Sequence, residues 1–450
     1  MKRLASALFA LLLTPARLLA APSHGYGFGA RATALGGAVT ADAGDAASLF
    51  YNPAQLSLAP HSQLLVGYRS VSSNLETNHA DAGIAGLGSV DGAALGRGQF
   101  LGIPVGFALG LSLSNGHLSR VATVRADEPR WVLRDTLPEL FNLAAAFALR
   151  PTPWLALGAG SGFLATTRGG FDVSGRAVFA DGKGSEYDSQ LQHAVDAQLA
   201  SARYLLLGAQ LRLPRLATAS PAPIDWSLGL SFRDEAVVAQ QLRGTLHGDV
   251  DAGFLLIPVR YTFDAQSLVA FVPRQLVLGV SATRDAWRVS ADLGFEQWSR
   301  YPSPVARSGA QIEADVPAGL PLALPPDMAL PPAERAGFHD RFTLRAGAER
   351  TLQLSHTSTL ALRAGYAYLP TPAPRASDTA QLIDASEHVF SLGSGVSLSQ
   401  LSRYLPHAVA FDAHALYGHL PNRRLARAGE VFFAKGHTFS AGLTLTLGGS

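Results

Sequence analysis

From His61 onward, apolar and polar residues alternate with a period of two rather than 3.6. Phe342, Leu344, Ala346 and Ala348 are interleaved with Thr343, Arg345, Gly347 and Glu349, which is how a strand with one apolar and one polar face reads. The alternation recurs in Leu360, Leu362, Ala364, Tyr366 and Tyr368, in Phe390, Leu392, Val396 and Leu398, and in Phe439, Ala441, Leu443, Leu445 and Leu447. Such strands suit a soluble sandwich or a membrane barrel. Three features favour the barrel. Several runs, among them 154–173 and 287–298, extend for 10 residues or more, whereas globular strands are usually about 5–6 residues and spanning ones about 9–11. Short Pro-rich or polar links, such as 151–153, 283–286 and 355–358, alternate with long ones at 176–190, 243–266, 300–340, 370–387 and 419–436, the asymmetry of an outer-membrane barrel. Trp154, Trp226 and Trp287 each follow a short link, where amphipathic rings sit at headgroup level.

The pattern predicts an all-β fold, a transmembrane barrel of about 14 antiparallel strands: 61–75, 97–103, 107–124, 140–149, 154–173, 193–213, 225–242, 271–282, 287–298, 341–352, 359–369, 388–398, 407–416 and 438–447. Pro104-Val105-Gly106 reads as a turn or a bulge. Trp298 is a candidate for the opposite interface, although its parity against Trp287 points it inward unless a bulge intervenes. Arg203 falls on the outward side with Leu205 and Leu207, and a bulge or a shift of register is expected there.

The first residues differ from all of this. Lys2 and Arg3 precede the apolar run 4–13, and Ala20-Ala21 closes it, the order of a secretory signal peptide. The expected organisation is a signal peptide over 1–21, an N-terminal segment over 22–60 that does not alternate, and the barrel over 61–450. Composition narrows the field further. With 48% hydrophobic residues the 450-residue chain is too apolar to be disordered, and no run outside the N-terminus is long enough for a spanning helix. The absence of Cys removes disulfides, thiolate metal sites and Cys nucleophiles. A net charge of +2 gives no footprint for nucleic acid.

The N-terminal segment carries Gly25-Tyr26-Gly27-Phe28-Gly29, then Leu35-Gly36-Gly37-Ala38, Asp42, Asp45 and Asn52-Pro53-Ala54. This order resembles the N-terminal hatch of the FadL/TodX family of outer-membrane transporters of hydrophobic compounds. Glu296-Gln297-Trp298-Ser299 is similar to that family's Trp-Ser strand end. Leu344-Arg345-Ala346-Gly347 and Leu362-Arg363-Ala364-Gly365 are similar to its paired Arg-Ala-Gly strands. The chain departs from the family by ending Leu447-Gly448-Gly449-Ser450, without a terminal aromatic residue. The resemblance implies a 14-stranded barrel plugged by the hatch, passive uptake of long-chain fatty acids or hydrocarbons, hatch movement that opens a path, and lateral exit into the bilayer.

No catalytic signature stands out. No His pair has zinc-binding helical spacing and no Ser sits in a Gly-x-Ser-x-Gly elbow, so a non-enzyme without cofactor or metal is expected. Gly158, Gly160 and Gly162 alternate within a strand, where small inward residues make room in a lumen. Arg on the lipid face at mid-depth costs about 2–4 kcal/mol, so Arg288, Asp292, Glu296, Arg345, Glu349 and Arg363 are expected to face inward. Their roles are mutual pairing that holds the plug, or contact between Arg288, Arg345 or Arg363 and a ligand carboxylate. Asn52, Pro53 and Ala54 are the candidate gating residues. The expected partners are hydrophobic small molecules and outer-membrane lipid, with the chain acting as a monomer. The alternative reading is a non-transporting barrel whose long loops bind a partner protein.

Overall fold

The computed structural model describes residues 27–42, 44–84, 86–114, 130–135, 141–174, 192–213, 223–251, 256–303, 307–315, 326–332, 335–377, 382–400, 408–427 and 429–449. The signal peptide expected over 1–21 and the long link expected over 176–190 lie outside them.

Fourteen antiparallel strands form the wall: β1 (Ser62–Thr77), β2 (Leu87–Phe100), β3 (Ile103–Ser114), β4 (Phe141–Thr152), β5 (Leu155–Ser174), β6 (Gln192–Arg212), β7 (Asp225–Arg233), β8 (Arg274–Arg284), β9 (Trp287–Gln297), β10 (Arg341–Ser355), β11 (Ser358–Leu369), β12 (Glu387–Leu398), β13 (Val409–Arg427) and β14 (Glu430–Gly449). Each pairs with the next, and β14 pairs with β1 from Ser62↔Gly449 to Thr77↔Ala434, so the sheet closes and leaves no edge. The alternation of sequence becomes an alternation of environment. On β9, Trp287, Val289, Ala291 and Leu293 are exposed while Ser290, Asp292, Gly294 and Glu296 are buried. Leu64, Val66, Phe107, Leu205, Leu278, Leu344, Leu392 and Leu443 are likewise exposed around the wall. A continuous apolar exterior of this extent is the lipid-facing surface of a membrane-spanning barrel, since soluble proteins rarely expose such patches. Trp154, Trp226 and Trp287 are exposed at the end of the barrel that carries the tight turns.

Several expectations are corrected. The strand expected over 97–103 straddles the β2–β3 turn, where Leu101 (φ 50°) and Gly102 (φ 76°) reverse the chain; Pro104 lies inside the β3 ladder opposite Gln99. The strand expected over 225–242 is two, because β7 ends at Arg233 and a new strand, Ala236–Asp251, begins. That strand pairs with Leu256–Val272, so the link expected over 243–266 is largely a hairpin outside the ring; it returns to β8, which pairs directly with β7. The long link expected over 419–436 is also strand, since β13 and β14 extend until only residues 428–429 join them. Trp298 is only 5% exposed and turned inward, so it belongs to no interface belt. Arg203 does point outward, but the β5–β6 ladder passes through Phe163↔Arg203 without a shift. Its guanidinium lies 5.6 Å from the Phe163 ring centroid, and cation–π attraction replaces the expected bulge.

Residues 27–59 lie within the lumen. They form α1 (Ala30–Ala34), α2 (Ser48–Tyr51) and a 3₁₀ helix, Pro53–Leu58. Asn52 caps the last by accepting from the Ala54 N–H at 3.2 Å, and Pro53 supplies a preset φ at its first turn. Phe28, Leu35, Leu49 and Leu56 are fully buried, and Phe28 and Phe50 pack with centroids 4.2 Å apart. Wall glycines admit the segment. A Cβ at Gly158 would strike the backbone of Pro53 and Ala54, one at Gly106 that of Leu56, and one at Gly365 that of Leu35 and Gly36.

Candidate functional site

A cavity of about 170 Å³ lies where residues 27–51 face the wall. Its floor is Gly27, Phe28, Thr33, Gly36, Phe50 and Tyr51; Val277, Ala367, Val389 and Leu416 supply apolar wall. The roof is an aromatic cluster. Tyr301 stacks on Phe338 at 4.5 Å, Phe271 meets Tyr301 edge-on at 5.4 Å, and Phe271 and Trp298 lie 5.8 Å apart. Polar bonds fix these rings. The Trp298 indole N–H donates to Glu296 at 2.8 Å, and the Arg341 guanidinium bonds the same carboxylate at 2.7 Å while lying 5.3 Å from the Trp298 ring centroid. A short helix, α3 (Val132–Asp135), brings Arg134 to Glu387 at 2.8 Å and to Asp384 at 3.8 Å. Burial pushes the Asp384 carboxyl above its ordinary range, against the pull of Arg134.

Two further groups of lumen charges bear on the cavity. The first ties the N-terminal segment to the wall. Glu349 on β10 meets Arg31 at 3.1 Å, Arg288 at 3.3 Å and Arg363 at 2.5 Å; Asp42 meets Arg31 at 2.9 Å and Arg288 at 3.1 Å; Arg363 continues to Asp412 at 2.6 Å. Burial opposes the charge of Arg31, yet Asp42, Glu349 and Asp45 more than offset it and hold its pKa above the ordinary arginine value. The second is Arg345. It lines the cavity, and among the described residues it has no hydrogen-bond or ion-pair partner. Its cross-strand neighbour Asp292 is engaged elsewhere, accepting from the Thr40 N–H at 3.0 Å. Of the three arginines singled out in the sequence, Arg288 and Arg363 are therefore consumed by pairing and Arg345 is available to the cavity.

Asn52, Pro53 and Ala54 do not line this cavity and pack instead against β5 and β6. Asn52 is fully buried and donates to the Thr40 carbonyl at 2.8 Å and to the Ala209 carbonyl of β6 at 3.1 Å. Gln55 adds bonds to the Thr40 carbonyl at 2.6 Å and to Gln210 at 3.1 Å. This triplet is thus a joint between the segment and the barrel. Arg134 and Phe271, which complete the cavity with Trp298, Tyr51 and Asp384, carry no local motif; segments distant in sequence bring them together. Among the described residues no group of His, Asp or Glu is disposed to hold a metal ion.

Solved structures share this architecture. A FadL homologue of Pseudomonas aeruginosa matches with a TM-score of 0.52 at 14% identity, covering 96% of this chain and 98% of that one. The Pseudomonas putida toluene transporter TodX matches with a TM-score of 0.50 at 15% identity, covering 94% and 98%. This chain has the FadL fold. No family model matches the sequence, and no curated protein matches it. At this identity the kinship with FadL homologues is one of architecture, carried by a closed wall of 14 strands and a near end-to-end correspondence.

Proposed function

We propose that the chain is an outer-membrane channel for passive uptake of hydrophobic molecules, with long-chain fatty acids and hydrocarbons as its ligand classes. The observation that carries this reading is the cavity between the N-terminal segment and the wall, roofed by aromatic rings and lined by Arg345, which has no hydrogen-bond or ion-pair partner among the described residues. An apolar cavity of about 150 Å³ is enough to hold benzene, so the space suits a single ring or a stretch of acyl chain. Arg345 is placed to meet a carboxylate, and a charge-assisted pair formed away from bulk water fixes the headgroup. Arg288 and Arg363, through Glu349, hold the segment as a hatch, and Asn52-Pro53-Ala54 is the joint at which it leaves the wall. An apolar solute needs no water-filled pore, only an apolar pocket and a short route past the polar surface. In liposomes holding a fatty-acid-responsive dye, the protein is expected to accelerate oleate arrival over empty liposomes. Equal rates with and without protein would overturn the transport reading.

A further inference from the structure

On the outer wall, the cross-strand registers His388↔His419 and His419↔His437 set three histidines in one row over β12, β13 and β14, and Asn74 of β1 continues it opposite His437. All face lipid. They share their strand faces with the exposed Phe390, Phe411 and Phe439. Ten residues separate His388 from Leu398 and His437 from Leu447 at the tight-turn end. At about 3.3 Å per residue and a tilt near 40°, that is about 25 Å, the height of the apolar band. The row therefore lies at the headgroup level of the leaflet on the long-loop side.

The rings are held. The Tyr366 hydroxyl lies 2.9 Å from His388 Nδ1 and the Tyr417 hydroxyl 2.7 Å from His437 Nδ1, while His419 and His437 have centroids 5.2 Å apart. A phenol O–H donating to Nδ1 leaves the ring proton on Nε2 and makes that nitrogen a donor. Just beyond the row stand Lys435, 3.0 Å from Glu76, and the exposed Arg424, which has no partner among the described residues.

We propose that this patch binds the phosphates of a lipid headgroup in the long-loop leaflet, with the three imidazoles as donors toward one phosphate and Arg424, opposite Phe433 and four residues beyond His437 along the ladder, as donor toward a second. Two Tyr hydroxyls preset the donor directions, and the apolar band immediately below receives the acyl chains. That junction of donors with a lipid-facing surface selects an amphiphile over a free ion. The test is native mass spectrometry of the full chain in detergent micelles, titrated with lipid A, a bis-phosphorylated glycolipid. His388→Gln, His419→Gln and His437→Gln are combined in one variant, and Arg424→Gln forms a second. Both sets of substitutions lie on the exterior, and folding is checked by resistance to SDS without heating. Binding to wild type is expected to be about tenfold tighter than to the triple variant, with a smaller loss for Arg424→Gln. Dephosphorylated lipid A is expected to bind all three alike. Equal lipid A binding by wild type and triple variant would overturn the proposal, as would inorganic phosphate displacing lipid A at millimolar concentration.

Discussion

Replacing Glu349 by Gln tests the hatch most sharply. One carboxylate receives Arg31, Arg288 and Arg363, and only Arg31 belongs to the N-terminal segment. Glutamine keeps the size and one acceptor but turns an amide N–H₂ toward a guanidinium. Asp42 and Asp412 remain, yet the central anion is gone. Removing one partner of a buried ion pair costs about 3–5 kcal/mol. Because Arg31 is the group that leaves when the segment undocks, most of that cost bears on docking rather than on the wall. At 1.4 kcal/mol per decade, the undocked fraction rises roughly 100- to 3000-fold. Single-channel recording in planar bilayers is the assay. Wild type is expected to be nearly silent, and the variant to show frequent openings of porin-like size. If the variant is as quiet as wild type while hydrogen exchange at residues 30–42 is unchanged, the segment is not held through this cluster.

Further predictions concern the cavity and the joint. Arg345→Gln is expected to weaken binding of a fatty acid by about ten- to hundredfold, the worth of a charged hydrogen bond, and to leave alkylbenzene binding unchanged; calorimetry with both ligands checks it. Asn52→Ala removes a helix cap, worth about 0.5–2 kcal/mol, together with the bonds to Thr40 and Ala209. It should therefore speed proteolysis of the N-terminal segment in the folded barrel. Trp298→Ala should cost about 3–5 kcal/mol of local stability and enlarge the cavity, read as a lower melting temperature of the roof together with tighter binding of bulkier aromatics.

The wall is legible because lipid outside and polar lumen inside impose a strict period of two, and the length of runs such as Trp287 to Glu296, with the alternating link lengths, separates a barrel from a sandwich. The turn at Leu101-Gly102 is not, since Leu101 adopts a positive φ without the Asn or Asp that normally announces one, and Pro104, three residues on, carries the stronger turn signal. The hairpin Ala236–Asp251 with Leu256–Val272 is hidden for another reason: Arg233-Asp234-Glu235 breaks the alternation where β7 ends, but a break in period cannot show whether the next strand joins the ring or leaves it. Parity placed Arg288, Arg345 and Arg363 inside, but which of them is free depends on where Asp42, Glu349 and Asp412 fall, and that is set by contacts across more than 300 residues for Arg31 and Glu349. Trp298 shows the limit of a belt rule. Its parity already pointed inward, and burial against Tyr301 and Phe338 decided the matter.

Where a ligand sits in the barrel is the central claim, and photo-crosslinking measures it directly. A fatty acid with a diazirine near its carboxyl end, irradiated with the purified protein and mapped by peptide mass spectrometry, should label Tyr51, Phe271, Trp298 and the β10 peptide holding Arg345, with unlabelled oleate competing it away. Labelling confined to outward residues such as Phe342, Leu344 and Leu392, unaffected by competitor, would contradict the account.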